Sequence, residues 1–158
     1  MKKFLLIVSA LLVFCIASSA QRQNVKYATV GVVTDIDDVN NLHPGIDAAY
    51  GFRNYNRDAF VSVAYGAEAY AFWLPSASYH SAGIYGIPQV GVSIGPSVFK
   101  VYPHWGFMAG FNNMVGAFNT GSNQGISFEF GNNVGVDFNT YYIFKHAWMT
   151  AINFTWRF

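Results

Sequence analysis

Hydrophobic and polar positions alternate with a period of two along most of this chain. Ile126, Phe128, Phe130, Val134, Val136 and Phe138 fall on one face, interrupted by Asn132, while Ser127, Glu129, Gly131, Asn133, Gly135, Asp137 and Asn139 fall on the other. The last segment repeats the pattern, with Trp148, Thr150, Ile152, Phe154, Trp156 and Phe158 against Ala147, Met149, Ala151, Asn153, Thr155 and Arg157. Val61 to Trp73 oppose Ser62 to Tyr70, and Ile46, Ala48, Tyr50 and Phe52 oppose Asp47, Ala49, Gly51 and Arg53. Gln89, Gly91 and Ser93 alternate with Val90, Val92 and Ile94, and His104, Gly106, Met108, Gly110 and Asn112 alternate with Trp105 to Phe111. Successive strand side chains project to opposite faces, so this period predicts β-strands. Only the first segment, around Val25–Thr34, does not declare its faces.

Turn signals separate the runs at Asp35–Gly45, Asn54–Asp58, Pro75–Ser81, Tyr102–His104, Asn119–Gly125 and Asn139–His146. They leave six strands and one long segment, Tyr79–Val101, which holds one extended strand or two divided near Pro88. Closed outer-membrane barrels carry even strand numbers from eight upward. Dividing the segment near Pro88 gives eight.

Composition then decides which face is inside. The 158 residues are 53% hydrophobic and 18% aromatic but only 11% charged, against about 25% charged in an ordinary soluble domain. Between Glu68 and Lys100 lie 31 residues without a formal charge, and between Lys100 and Glu129 another 28. The bulky face is aromatic and uncharged; the other is mostly Gly, Ala, Ser and Asn. A soluble barrel would carry Lys, Glu and Asp on its outer face. Here the small, polar face suits the crowded lumen of a narrow barrel, and the apolar face suits lipid. Closure satisfies every backbone polar group, as hydrocarbon demands. Trp73, Trp105, Trp148 and Trp156 suit interfacial girdles. The expected fold is therefore all-β, an antiparallel up-and-down transmembrane β-barrel of eight strands.

The first twenty residues read as an address. Lys2 and Lys3 precede a 13-residue apolar run, Phe4–Ile16, followed by Ala17-Ser18-Ser19-Ala20, the layout of a signal peptide cleaved after Ala20. The run is shorter than the roughly 18 residues of a spanning helix. Residues 1–20 are thus read as signal peptide and 21–158 as barrel. Cleavage leaves seven basic against eight acidic residues and removes Cys15, the one cysteine. That charge balance offers no footprint for nucleic acid, and the mature chain has no disulfides to hold it together.

Residues 21–158 resemble, as a pattern, the small outer-membrane β-barrel proteins of the OmpA membrane-domain and OmpX type. The sharpest element is the ending Ile152-Asn153-Phe154-Thr155-Trp156-Arg157-Phe158. A terminal Phe with apolar Ile152, Phe154 and Trp156 at alternating positions is similar to the signal read by the barrel-assembly machinery. The resemblance implies a monomer in the bacterial outer membrane, contacting its lipid and lipopolysaccharide, with a structural or surface-interaction role.

Chemistry-bearing constellations are few. No phosphate loop, dinucleotide fingerprint, zincin motif or Cys/His metal cluster is present, and no cofactor or metal is expected. The inward ionisable set is Asp47, Glu68, Glu129 and Asp137, with Arg53 and Arg157 as counter-charges. Lone charges in such a lumen are costly, so these six are expected to form a hydrogen-bonded ionic network plugging it. Asp35, Asp37, Asp38, Asn40 and Asn41 suggest calcium superficially. Val39 and Ile46 break the ligand spacing, and a solvated turn is the expectation. His43, His80-Ser81 and His146 could serve a lipid A-modifying enzyme, but the His-x-Ser-Asn motif of lipid A deacylases is absent, since Ala147 and Trp148 follow His146. No catalytic activity is expected. A soluble periplasmic ligand-binding barrel is the competing class.

Overall fold

The computed structural model describes residues 22–36, 42–75, 80–113, 116–145 and 147–158. The signal-peptide reading, most of the acidic Asp35–Asn41 cluster, and His146 lie outside them. Eight strands run in order: β1 (Arg22–Asp35), β2 (His43–Asn56), β3 (Val61–Pro75), β4 (His80–Ile94), β5 (Phe99–Asn112), β6 (Ala117–Phe130), β7 (Val134–Ile143) and β8 (Ala147–Arg157). Each pairs antiparallel with its neighbour in sequence, and β8 returns to β1 to close the barrel. The closing ladder runs from Tyr27–Arg157 to Asp35–Met149. Every strand meets or exceeds the roughly 9–11 residues that cross a bilayer when tilted.

The eight strands are divided differently from the expectation at three places. Pro88 lies inside β4. Its missing N–H interrupts only the seam with β5, whose pairs skip from Gly86–Ala109 to Gln89–Gly106, while on the other side Pro88 still pairs with Ala67 of β3. The break falls instead at Gly95-Pro96-Ser97-Val98, where Gly95 has φ +123°. Tyr102–His104 is likewise strand, because Pro103 aims its lost donor at the same seam and pairs with Ile126 of β6. Asn119–Gly125 is also strand, within β6: its Asn, Ser, Gly and Gln residues carry turn propensity but are held in pairing on both sides. The compensating turn sits at Gly131-Asn132-Asn133, closed by the Phe130–Val134 pair. Three residues there restore parity, so the alternation read across 126–138 crosses two strands without changing face.

Both described chain ends, Arg22 and Phe158, sit at one rim, with the turns at 57–60, 95–98 and 131–133. The opposite rim carries the intervals 36–42, 76–79, 113–116 and 144–146. The faces fall as the alternation requires. Phe111, Phe118, Ile152 and Val30 stand outward and exposed, whereas Tyr27, Ile87, Asn123 and Arg157 point inward and are buried. Lys26, on the strand whose faces were undeclared, is exposed near the terminal rim. Inside, the lumen has two zones. Towards the far rim Val33, Leu74, Ile87, Met108, Ile143 and Met149 pack as a hydrophobic cluster with Tyr70, Phe72, Tyr85 and Tyr141. Towards the terminal rim the lumen is ionic.

Candidate functional site

The ionic zone is built from inward positions in the halves of β2, β6, β7 and β8 nearer the terminal rim. Glu129 on β6 is its hub. Its Oε1 accepts from Arg53 Nη1 of β2 at 3.3 Å, and its Oε2 accepts from the Tyr55 hydroxyl at 2.7 Å and from Arg157 Nη1 of β8. Arg53 also reaches Asp137 of β7, with Nη2 3.5 Å from Oδ2, and Thr155 donates to the same oxygen at 2.7 Å. The Arg53 guanidinium lies between the rings of Tyr27 and Tyr102, 4.4 and 4.5 Å from their centroids. Side chains of Arg53, Glu129, Asp137 and Arg157 are at most 3% exposed. Two cations and two carboxylates thus balance one another along one chain of ion pairs, Asp137–Arg53–Glu129–Arg157, with the faces of two tyrosines against the Arg53 guanidinium.

The remaining two members of the expected network make no ion pair with this quartet. Glu68, halfway along β3, makes no ion pair among the described residues. Its Oε2 accepts from the Tyr27 hydroxyl at 2.7 Å and from Gln89 Nε2 at 3.2 Å, and Gln89 also donates to Tyr27 at 2.8 Å. Asp47 lies in the far half of the lumen, where Asn153 Nδ2 donates to its Oδ2 at 2.8 Å. Four of the six therefore form one ion-paired group, Glu68 joins it through Tyr27, whose ring lies against Arg53, and Asp47 stands apart. The reason is height: β2 places Asp47 six residues from Arg53, which is about 20 Å along a strand. The alternation gives the face of a side chain but not its level around a tilted barrel.

Sequence reasoning also missed lumen residues. Lys100 is buried at the foot of β5, donating to Gly95 O at 2.6 Å and to Ala59 O. Arg157 makes the matching contacts at the next turn, donating to Val134 O at 2.7 Å and Gly131 O at 3.1 Å. Each cation donates to backbone carbonyls in or beside a turn at the terminal rim. Extending the His104–Asn112 parity two steps back would have found Lys100, but the turn expected at Tyr102–His104 cut that pattern. Six tyrosines, at 27, 55, 70, 85, 102 and 141, fill the lumen as well. Tyr70 and Tyr141 stack with centroids 4.2 Å apart. The signal was available: these six occupy inward parity, whereas the four tryptophans occupy outward parity. Tyr27, Tyr55 and Tyr85 find acceptors there for their hydroxyls in Glu68, Glu129 and Asn119.

His104 Nε2 lies 3.0 Å from Asn139 Oδ1, and the two rings of Tyr102 and His104 stack at 5.0 Å. His80 is exposed at the far rim and Ser81 is buried. Among the described residues, no group of three or more metal-ligating side chains occurs. Ile152, Phe154, Trp156 and Phe158, the alternating C-terminal set, all stand on the outer wall, 50–63% exposed.

No protein-family model and no curated protein matches the chain. Solved structures do. The attachment invasion locus protein Ail of Yersinia pestis is 12% identical with a TM-score of 0.51, covering 86% of this chain and 99% of its own. The N-terminal β-barrel domain of Pseudomonas aeruginosa OprF is 13% identical with a TM-score of 0.51, covering 87% of this chain and 100% of its own. At such identity the likeness shows the fold: a closed, eight-stranded antiparallel barrel of the small outer-membrane type.

Proposed function

We propose that the chain is an integral protein of the bacterial outer membrane whose barrel is plugged, without catalytic activity, and whose role is structural or one of surface interaction. One observation carries this reading: the polar and apolar faces are inverted. Arg53, Lys100, Glu129 and Arg157 are buried within the barrel, while Trp73, Trp105, Phe111, Phe118, Ile152 and Trp156 are 47–59% exposed around it. Water would penalise such a wall by about 25 cal/mol per Å² of apolar surface, whereas hydrocarbon leaves it without that cost. In this reading the terminal rim faces the periplasm, and the intervals 36–42, 76–79, 113–116 and 144–146 face outward. They are short, so surface contacts would be made largely by the rim itself together with lipopolysaccharide. Ile152, Phe154, Trp156 and Phe158 would present the assembly machinery with an apolar edge before closure.

Membrane fractionation of cells expressing the full chain tests the reading. The protein is expected with outer membranes, and its electrophoretic mobility is expected to differ between unheated and boiled samples. Recovery in the soluble periplasm would overturn it.

A further inference from the structure

Away from the terminal rim, where Asn24 and Lys26 are exposed on β1, the polar outward side chains of the wall gather in one sector. On β6 the outward positions read Phe118, Thr120, Ser122, Gln124, Ile126, Phe128 and Phe130. Gln124 is exposed, and its carboxamide makes no hydrogen bond among the described residues. The ladder places it in one row with Trp105 of β5, Thr140 of β7, Thr150 of β8 and Thr34 of β1. The hydroxyl of Thr150 is already used on Asn139 O at 3.1 Å. Large side chains bracket this polar window along the strands: Phe118 and Trp148 towards the far rim, Ile126, Phe138 and Ile152 towards the terminal rim, all exposed. A groove of about 390 Å³ opens beside Gln124, lined by Pro103, Ile126, Phe138, Thr140 and Thr150 among others.

Resting on the membrane reading above, we infer that this sector is where a second copy of the chain docks, replacing the monomer expected from the sequence. A carboxamide held in hydrocarbon loses its water partners and must find others. An acyl chain offers none, and the ester and sugar groups of a lipid belong at the interface, beyond the level of Phe118 and Trp148. A second Gln124 is a complete partner. The side chain has two donors and an acceptor oxygen, so two copies related by a twofold axis exchange two N–H···O bonds between their carboxamides. The groove gives each side chain room to reach the other. Around that centre Ser122 and Thr140 bring the walls close, as small polar residues do between membrane helices.

Oxidative cross-linking in native outer membranes tests this. Cys15 lies in the segment read as removed, so a Gln124→Cys chain would report only the new thiol. Copper-phenanthroline oxidation is expected to give a disulfide-linked dimer in roughly tenfold excess over Ala69→Cys, an exposed position on the opposite wall. In reconstituted vesicles, Gln124→Leu is expected to weaken self-association roughly tenfold while preserving the heat-dependent mobility of the folded barrel. Membrane-embedded Gln124→Cys protein that cross-links no better than Ala69→Cys overturns the dimer and leaves the membrane reading standing. A monomeric wild-type chain that carries a lipid lost in Gln124→Leu also overturns it, identifying lipid as the occupant. Recovery of the protein in the soluble fraction overturns both readings.

Discussion

Arg53 is the residue on which the ionic half of the lumen depends. It contacts both carboxylates of the quartet, and the tyrosines on either side hold its guanidinium plane. Removing a partner from a buried ion pair leaves an uncompensated charge, at a cost of about 3–5 kcal/mol. Arg53→Ala is therefore expected to lower the barrel's stability by about that amount in urea unfolding from detergent micelles, because Glu129 and Asp137 lose their shared cation. Glu68→Gln should behave differently. Its contacts are hydrogen bonds from Tyr27 and Gln89, and the amide oxygen of Gln can still accept them, so the expected loss is under about 1 kcal/mol. Equal losses in the two variants would mean that Glu68 belongs to the ion-paired group.

At the scale of the strand, the faces were legible and the boundaries were not. Parity survives in Ile126–Phe138 because the turn at 131–133 restores it, and for that reason the same segment hid a turn. The prolines misled in the opposite direction. Pro88 and Pro103 lie within strands because each gives up one bond at the same β4–β5 seam and keeps its pairing on the other side. The asparagines and glycines of 119–125 are turn formers by local propensity, overridden by ladders on two sides. Turn chemistry proper sits at Gly95 and Gly131, whose φ values are +123° and +53°. A Cβ at Gly95 would lie 2.4 Å from Phe99 O, whereas at Gly131 nothing approaches within 4 Å. Gly95→Ala is expected to cost about 1–3 kcal/mol, and Gly131→Ala only about 1 kcal/mol from its left-handed backbone. The same unfolding assay separates them. The reverse order would place the conformational constraint at the second turn.

For the whole molecule, the proposed reading makes the lumen a core rather than a channel. An eight-stranded barrel is just wide enough for side chains to fill. This one is filled twice over, by stacked Tyr70 and Tyr141 with Ile87 and Met108 in the far half and by the Arg53–Glu129–Arg157 group in the other. An ion would have to part both. Planar-bilayer recordings are expected to show no steady conductance, and stable open channels would contradict the plug. The inward placement of the lumen's charges was legible, since Asp47, Arg53, Glu129, Asp137 and Arg157 were read at the right parity. Met108 and Met149 were read at inward parity too, but Ile87 was not, because the division expected near Pro88 cut the alternation of its strand. The central claim concerns the outside. All four tryptophans, at 73, 105, 148 and 156, lie on the outer wall, 39–53% exposed. Tryptophan quenching by phospholipids brominated along their acyl chains tests it most directly. The folded, reconstituted protein should lose most of its tryptophan emission relative to unbrominated lipid. Emission unchanged by bromination, from a folded barrel, would mean that this wall does not face lipid.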